Sequence, residues 1–343
     1  MKILSWCKAN AMPLIAVLAA AVTACFVPPD AAYIGYYDIK TLSCLFCVLA
    51  VVCALRGVGL FPVLAQQLVR AFHTSRSVVI ALVLITLVAS MLLTNDTALL
   101  TFLPLSWFVL HETGQEKLIT LTFILQNCAA NLGGMLTPFG NPQNLYLFNH
   151  YSIPNGEFVA IMLPPFLLST ALILLCCLFV RSRPLTVPPQ RIPLDKPRTA
   201  VYALLFCLSV AMVLRAVPYQ IGLAVITVAL LIMDRRALKS VDWGLLVTFA
   251  AFFTFSGNMA RMEPVRALFA RLLSQFTDDY RGLLIGVNIG GAGTLVASLA
   301  SLITFREYTK HVTGQTGRFL LLFSAVSFGL LAILLLAMGL IMD

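Results

Sequence analysis

The chain has 343 residues, 60% of them hydrophobic and only 11% charged. A soluble domain carries about 25% charged residues, so this chain has too little polar surface to cover itself in water. Its net charge of +9 does not point to nucleic acid, because the basic residues lie in loops between apolar runs, where they report membrane orientation instead.

Runs close to the roughly 20 apolar residues that cross a bilayer recur at 8–27, 38–56, 77–94, 98–110, 117–148, 158–181, 199–217, 219–234, 241–259, 283–305 and 317–342. The fold class expected is an all-α polytopic membrane protein. A β-barrel would show strands of about 10 residues with period two, and the alternation is absent. The first run contains Val22-Thr23-Ala24-Cys25, faintly like a lipoprotein cleavage box, but with ten more apolar segments behind it a first membrane helix is the better reading. The nine cysteines, including Cys44, Cys47, Cys176 and Cys177, fall mostly inside apolar helices. They read as small packing residues rather than as disulfide or metal pairs.

Placing the N-terminus in the cytoplasm puts 17 of the 23 Lys and Arg residues inside, as the positive-inside rule requires. In that scheme 77–110 is a re-entrant hairpin of two half-depth arms, entering from the cytoplasm and turning at Thr94-Asn95-Asp96-Thr97. Non-helical backbone at that depth must be buried in protein or line a cavity. The Pro-rich basic stretch 182–198 is then a cytoplasmic linker, and Arg261, Arg266, Arg271 and Arg281 are the basic residues that fit the scheme least.

The segment ANLGGMLTPFG (130–140) has an echo in VNIGGAGTLVA (287–297), and Asp38-Ile39 has one in Asp242-Trp243. The echoes predict two repeats, 1–181 and 219–343, inverted by a connecting helix at 199–218. Inverted repeats with broken helices near the midplane are a build of secondary transporters. The second copy is shorter: it passes from RALFARLLSQ into FTDDYRGLL, with no counterpart of the hairpin between Gln275 and Phe276.

The breaks carry the chemistry. Gly-Gly followed by Pro interrupts a membrane helix, since Gly is conformationally loose and Pro removes a hydrogen bond. Freed carbonyls suit a cation, and freed N–H groups at a helix N-terminus suit an anion. Candidate ligands are Asn131, Thr137, Asn141 and Asn144, with Gly133, Gly134, Gly140 and Pro142 shaping the backbone of 117–148. In 283–305 they are Asn288, Thr294 and Ser298, with Gly290, Gly291 and Gly293. Small residues can also serve close helix packing, and that reading stays open, more so for 290–298. Asp96 is the one carboxylate expected deep in the membrane, where ionisable groups are costly and usually functional; it would bind a cation or carry a proton. Its other reading is a cap on the returning arm near the surface. His73, His111, His150 and His311 lie at span ends and read as solvated. No P-loop, hydrolase elbow or HExxH helix is present, so neither an enzyme nor an ATP-driven pump is expected, and no cofactor.

SMLLTNDTALLTFLPL (90–105) together with ANLGGMLTPFGNPQNLYL (130–147) resembles the ion transporter superfamily of anion carriers, nearest the arsenite permease and sodium–proton antiporter-like, citrate transporter-like branch. The dicarboxylate–sodium symporters are more distant. The resemblance spans nearly the whole chain. It implies two inverted repeats, a homodimer with an elevator-like movement, and a multi-pass protein of a bacterial inner membrane. It implies sodium and substrate carboxylate held by Thr94, Asn95 and Thr97 at the hairpin tip, by Gly134, Thr137, Asn141 and Pro142 in the first loop, and by Asn288, Gly291 and Thr294 in the second, with Asn95 and Asn141 as sodium ligands. The expected function is an ion-coupled carrier of a small anion such as a di- or tricarboxylate, driven by sodium or protons. The alternatives are a sodium–proton antiporter centred on Asp96, and a family member that has lost transport with its second hairpin.

Overall fold

Backbone that enters a bilayer must satisfy its own hydrogen bonds, and an α-helix does so within one segment. The computed structural model describes the whole chain except residues 1–10, 93, 139, 142, 145, 146, 149, 150, 186–193, 214, 215, 268–278, 296 and 343. Among the described residues the structure is all α and contains no strand. Its helices are α1 (Ala11–Phe26), α2 (Ile39–Gly57), α3 (Leu60–Phe72), α4 (Ser75–Leu92), α5 (Asn95–Glu112), α6 (Ile119–Gly133), α7 (Asn155–Leu178), α8 (Lys196–Val213), α9 (Tyr219–Met233), α10 (Arg235–Lys239), α11 (Trp243–Arg261), α12 (Tyr280–Gly291), α13 (Leu299–His311) and α14 (Thr316–Met342). Among the described residues five stretches, Ile39–Gly57, Glu116–Leu136, Asn155–Leu178, Trp243–Arg261 and Thr316–Leu340, are long and apolar enough to cross a membrane. The protein is a polytopic membrane protein.

The chain forms two compact units, and each takes one segment from either half of the sequence. The first unit is Met1–Ala54 with Tyr202–Asp278, and the second is Leu55–Val201 with Asp279–Asp343.

In the first unit α1 lies along α11 through small residues, Ala16, Ala20 and Ala251, flanked by Phe252 and Phe255. Asn258 donates to the Thr23 hydroxyl at 3.2 Å within this contact. Arg261 closes its end, donating to both oxygens of Asp30 (2.9 and 2.6 Å) and to Tyr36 Oη (2.9 Å). The echoed acids do the same local work: Asp38 accepts from the Thr41 amide and Asp242 from the Leu245 amide, each at 3.0 Å, at the starts of α2 and α11.

The second unit is built around α6, of which every residue but Leu121 is buried. Gln126 of α6 donates to Thr86 Oγ1 on α4 at 2.8 Å. Gly133 lets α6 cross α4 closely, since a Cβ there would sit 2.5 Å from Ser90 Oγ and 2.8 Å from the Leu87 carbonyl oxygen.

Three features depart from expectation. The arms of the 77–110 hairpin, α4 and α5, have 18 residues each, roughly 27 Å at 1.5 Å per residue, so they are longer than half-depth. The amphipathic α3 was not foreseen: its 13 residues are too short for a span, and it buries Phe61, Ala65 and Val69 along one face. The second broken segment resumes at Leu299 and runs to His311 rather than stopping at 305. The start of the 182–198 stretch is ordered against α4: Ser75 N donates to the Arg183 carbonyl and Leu185 N to that of His73, both at 2.8 Å. The Gln275–Phe276 junction lies outside the described residues.

Candidate functional site

Three chain breaks meet inside the second unit: the hairpin tip before α5, the interruption after α6, and the interruption between α12 and α13. Each break has a local cause. Thr94 caps α5, accepting from the Thr97 amide at 3.3 Å while the two hydroxyls share a hydrogen bond of 2.8 Å. The Gly133-Gly134 pair ends α6 in a single 3-10 turn, Gly134–Leu136. The loop then returns so closely that a Cβ on Gly140 would overlap the carbonyl of Gly134; no side chain fits there. Ser298 caps α13, accepting from the Ala300 amide at 3.2 Å.

Asparagine amides join the three breaks. Asn131, in the last turn of α6, accepts through Oδ1 from Asn95 Nδ2 (3.1 Å) and from the Ser298 hydroxyl (2.7 Å). Asn95 opens α5 and Ser298 caps α13, so the positive ends of two helices converge on this one oxygen. Asn131 Nδ2 donates to the Asn127 carbonyl at 3.0 Å. Asn141 Nδ2 donates to the Asn131 carbonyl (3.3 Å) and to Asn288 Oδ1 (3.1 Å). Asn288 donates in turn to Asn144 Oδ1 and to the Leu284 carbonyl. Asn144 Nδ2 reaches the carbonyls of Gly134, Met135 and Thr137 at 3.2–3.4 Å and so fixes the first loop. The Asn95 amide donates to the Gly140 carbonyl at 3.1 Å, tying the hairpin tip to that loop.

All six of these asparagines are buried. Buried polar groups are almost always paired, yet Asp96 Oδ1 and Asn141 Oδ1 have no hydrogen-bond partner among the described residues. Both are acceptors, and both belong to the breaks. Asp96 sits in the first turn of α5 and is buried. Two orphaned oxygens call for a donor or a cation, and converging helix N-termini call for negative charge. The chemistry of one place thus suits an anion together with a positive ion or proton.

The sequence-based candidates are not all drawn in. Thr94, Asn95, Asp96, Thr97, Asn131, Gly134, Asn141, Asn144 and Asn288 come together. Thr137 holds the loop to α4 instead, donating to the Met91 carbonyl at 3.0 Å. Thr294 is exposed and caps only its own turn, accepting from the Ala297 amide. Gly291 faces Gln143, whose Nε2 would meet a Cβ at 3.4 Å. Pro142 and His150 lie outside the described residues. Asn127 was missed. It accepts from Thr304 and donates to Ser301 of α13 (3.1 and 3.2 Å), and its signal was available, one helical turn before Asn131 on the same face. His311 is not the solvated residue expected: its ring stacks on Trp107 at 4.1 Å and bonds Glu307 at 3.0 Å.

The sequence matches the model of the citrate transporter family over residues 3–305. It is 30% identical over 315 residues to an uncharacterized transporter of Methanocaldococcus jannaschii, covering 82% of this chain and 84% of that one. It is 31% identical over 284 residues to the inner membrane protein YbiR of Escherichia coli, covering 72% and 74%. A shorter likeness, 30% over 156 residues, is to the silicon efflux transporter LSI3 of Oryza sativa, covering 45% of this chain and 31% of that one.

Proposed function

Because the chain belongs to the citrate transporter family, a family of membrane transporters, we propose that it is a secondary carrier that couples a small anion to a positive ion at the meeting point of its three breaks. The pair of orphaned buried oxygens, Asp96 Oδ1 and Asn141 Oδ1, carries this reading. A carboxylate of the substrate would take the place at the starts of α5 and α13, where Asn131 Oδ1 now accepts from Asn95 and Ser298. The coupling ion, sodium or a proton, would take the acceptors of Asp96, Asn141 and Asn95. The family name favours a di- or tricarboxylate such as citrate. The net excess of Lys and Arg on the loops assigned to the cytoplasm orients the N-terminus inward, in a bacterial inner membrane, and a homodimer is the assembly the resemblance implies.

The test is thermal stability of the purified protein in sodium against choline buffer, with a panel of carboxylates. A ligand that binds only the folded state raises the melting point by mass action. A rise that needs both sodium and one carboxylate, and that Asn141→Ala removes, is expected. No shift with any ion or carboxylate would overturn sodium coupling.

A second reading is favoured by one observation: Asp96 has no basic partner among the described residues, as suits a group that exchanges a proton for sodium. Asp96→Asn in proteoliposomes separates the two. It would abolish sodium-driven proton flux in an antiporter, while leaving residual anion uptake in an anion carrier.

A further inference from the structure

A basic cavity lies in the same unit, away from the amide network. It encloses about 450 Å³ and is lined by residues at the end of α5, the start of α6, the end of α13 and the start of α14, among them Trp107, His111, Lys117, Thr120, His311 and Arg318. Its construction is specific. The Trp107 indole is stacked by His111 at 5.0 Å and by His311 at 4.1 Å, with interplanar angles of 11° and 17°. The Arg56 guanidinium lies 5.8 Å from the same ring. Thr120, buried at the wall, shares a hydrogen bond of 3.0 Å with Tyr308.

One carboxylate, Glu116, lines the cavity beside these basic groups. Glu116 bonds His111 at 2.7 Å, and Glu307, behind the wall, accepts from Lys310 (2.8 Å) and bonds His311 (3.0 Å). Lys117 and Arg318 enter no ion pair among the described residues. Two cations and two imidazoles therefore face a recess of small-molecule size against the one carboxylate of Glu116, and such an excess of one sign raises the local concentration of the opposite one. Arg binds carboxylate and phosphate oxygens in a fork, and Lys binds them as a point charge.

We propose that this cavity binds a compact, multiply charged oxyanion, a polycarboxylate or phosphate, at a site separate from the transported one. The occupant would join four chain segments: the base of the hairpin through Trp107 and His111, the start of α6 through Lys117, the end of α13 through His311 and the start of α14 through Arg318. It would thereby restrain the hairpin against the second broken helix. By the positive-inside rule this end, which carries Lys117, Arg306, Lys310 and Arg318, faces the cytoplasm, so the site would sense the cytoplasmic anion. The proposal does not depend on which ion drives transport.

Trp107 is a built-in reporter. The full chain carrying Trp6→Phe and Trp243→Phe is purified and titrated with citrate and with inorganic phosphate at constant sodium. Saturable quenching of Trp107 is expected, with Lys117→Gln plus Arg318→Gln weakening the apparent affinity at least ten-fold, and with Asn141→Ala, which disables the central site, retaining the quench. Equal titration of the doubly charge-neutralised variant would overturn the site, as would loss of the response in Asn141→Ala or no response to either anion. If the tryptophan variants do not fold, calorimetric titration of the native chain against Lys117→Gln plus Arg318→Gln makes the same comparison, since both of those side chains are exposed.

Discussion

At the scale of single residues, the centre of the site is one oxygen. Asn131 Oδ1 accepts from Asn95 and Ser298 at two helix starts, so its loss leaves the buried Asn95 amide unpaired, at about 1–3 kcal/mol, and the half-buried Ser298 hydroxyl with it. Asn131→Leu is expected to lower the melting temperature sharply and abolish uptake. Asn131→Asp keeps the acceptor and adds the charge that helix N-termini favour, while giving up the donation to the Asn127 carbonyl. It is expected to fold, yet to transport nothing, because a fixed carboxylate stands where the substrate's would. A stable Asn131→Asp protein with normal uptake would refute that placement. Outside the spans, Asp30 is held below its ordinary value of 3.8, first by its hydrogen bond from Arg261. A depressed carboxyl stabilises the fold fully above its unfolded pKa, and that stabilisation is lost as pH falls through the folded value. Asp30→Asn should therefore melt below the native chain at pH 7, with the gap closing as the pH is taken below 3.8. A gap that persists in acid would show that packing, not charge, sets it.

At the scale of elements, glycines at a break and glycines within a helix differ in what they tolerate. Gly140 is pressed against the Gly134 carbonyl, whereas a Cβ on Gly286, within α12, meets nothing within 4 Å. Gly140→Ala is expected to collapse the first loop and cost the protein its ion-dependent melting shift. Gly286→Ala should be neutral or stabilise by up to about 0.5–1 kcal/mol, the ordinary cost of Gly inside a helix. Parallel melts of the two variants check this, and equal losses would mean the close backbone approach is unimportant. These breaks were legible in the sequence because Gly-Gly and Pro act locally, and the ends of α2, α7, α11 and α14 were legible because apolar runs have sharp edges. The short α3 was not: an amphipathic helix of 13 residues has no continuous apolar run to find. Thr294 misled for the opposite reason. Its spacing from Asn288 echoes that of Thr137 from Asn131, but sequence spacing does not say which way a loop side chain turns.

At the scale of the whole molecule, the two units were not legible at all, because contacts between residues more than a hundred apart leave no periodicity. Each unit is nevertheless stitched from both halves of the chain. In the first, Thr23 meets Asn258 and Asp30 meets Arg261. In the second, Asn131 meets Ser298, Asn141 meets Asn288, and Asn127 meets Thr304. A half chain alone would leave its side of the buried contacts among these without partners inside the apolar unit, at a cost of about 1–3 kcal/mol for each unpaired group, against a total stability of about 5–15 kcal/mol. Fragments 1–189 and 190–343 should thus fail to accumulate when expressed singly. Expressed together, they should assemble, co-purify and regain the ion-dependent melting shift. Were either fragment to purify alone as a monodisperse, cooperatively melting protein, the sequence repeats would be the folding units after all, and the pairing of distant segments would follow folding rather than drive it.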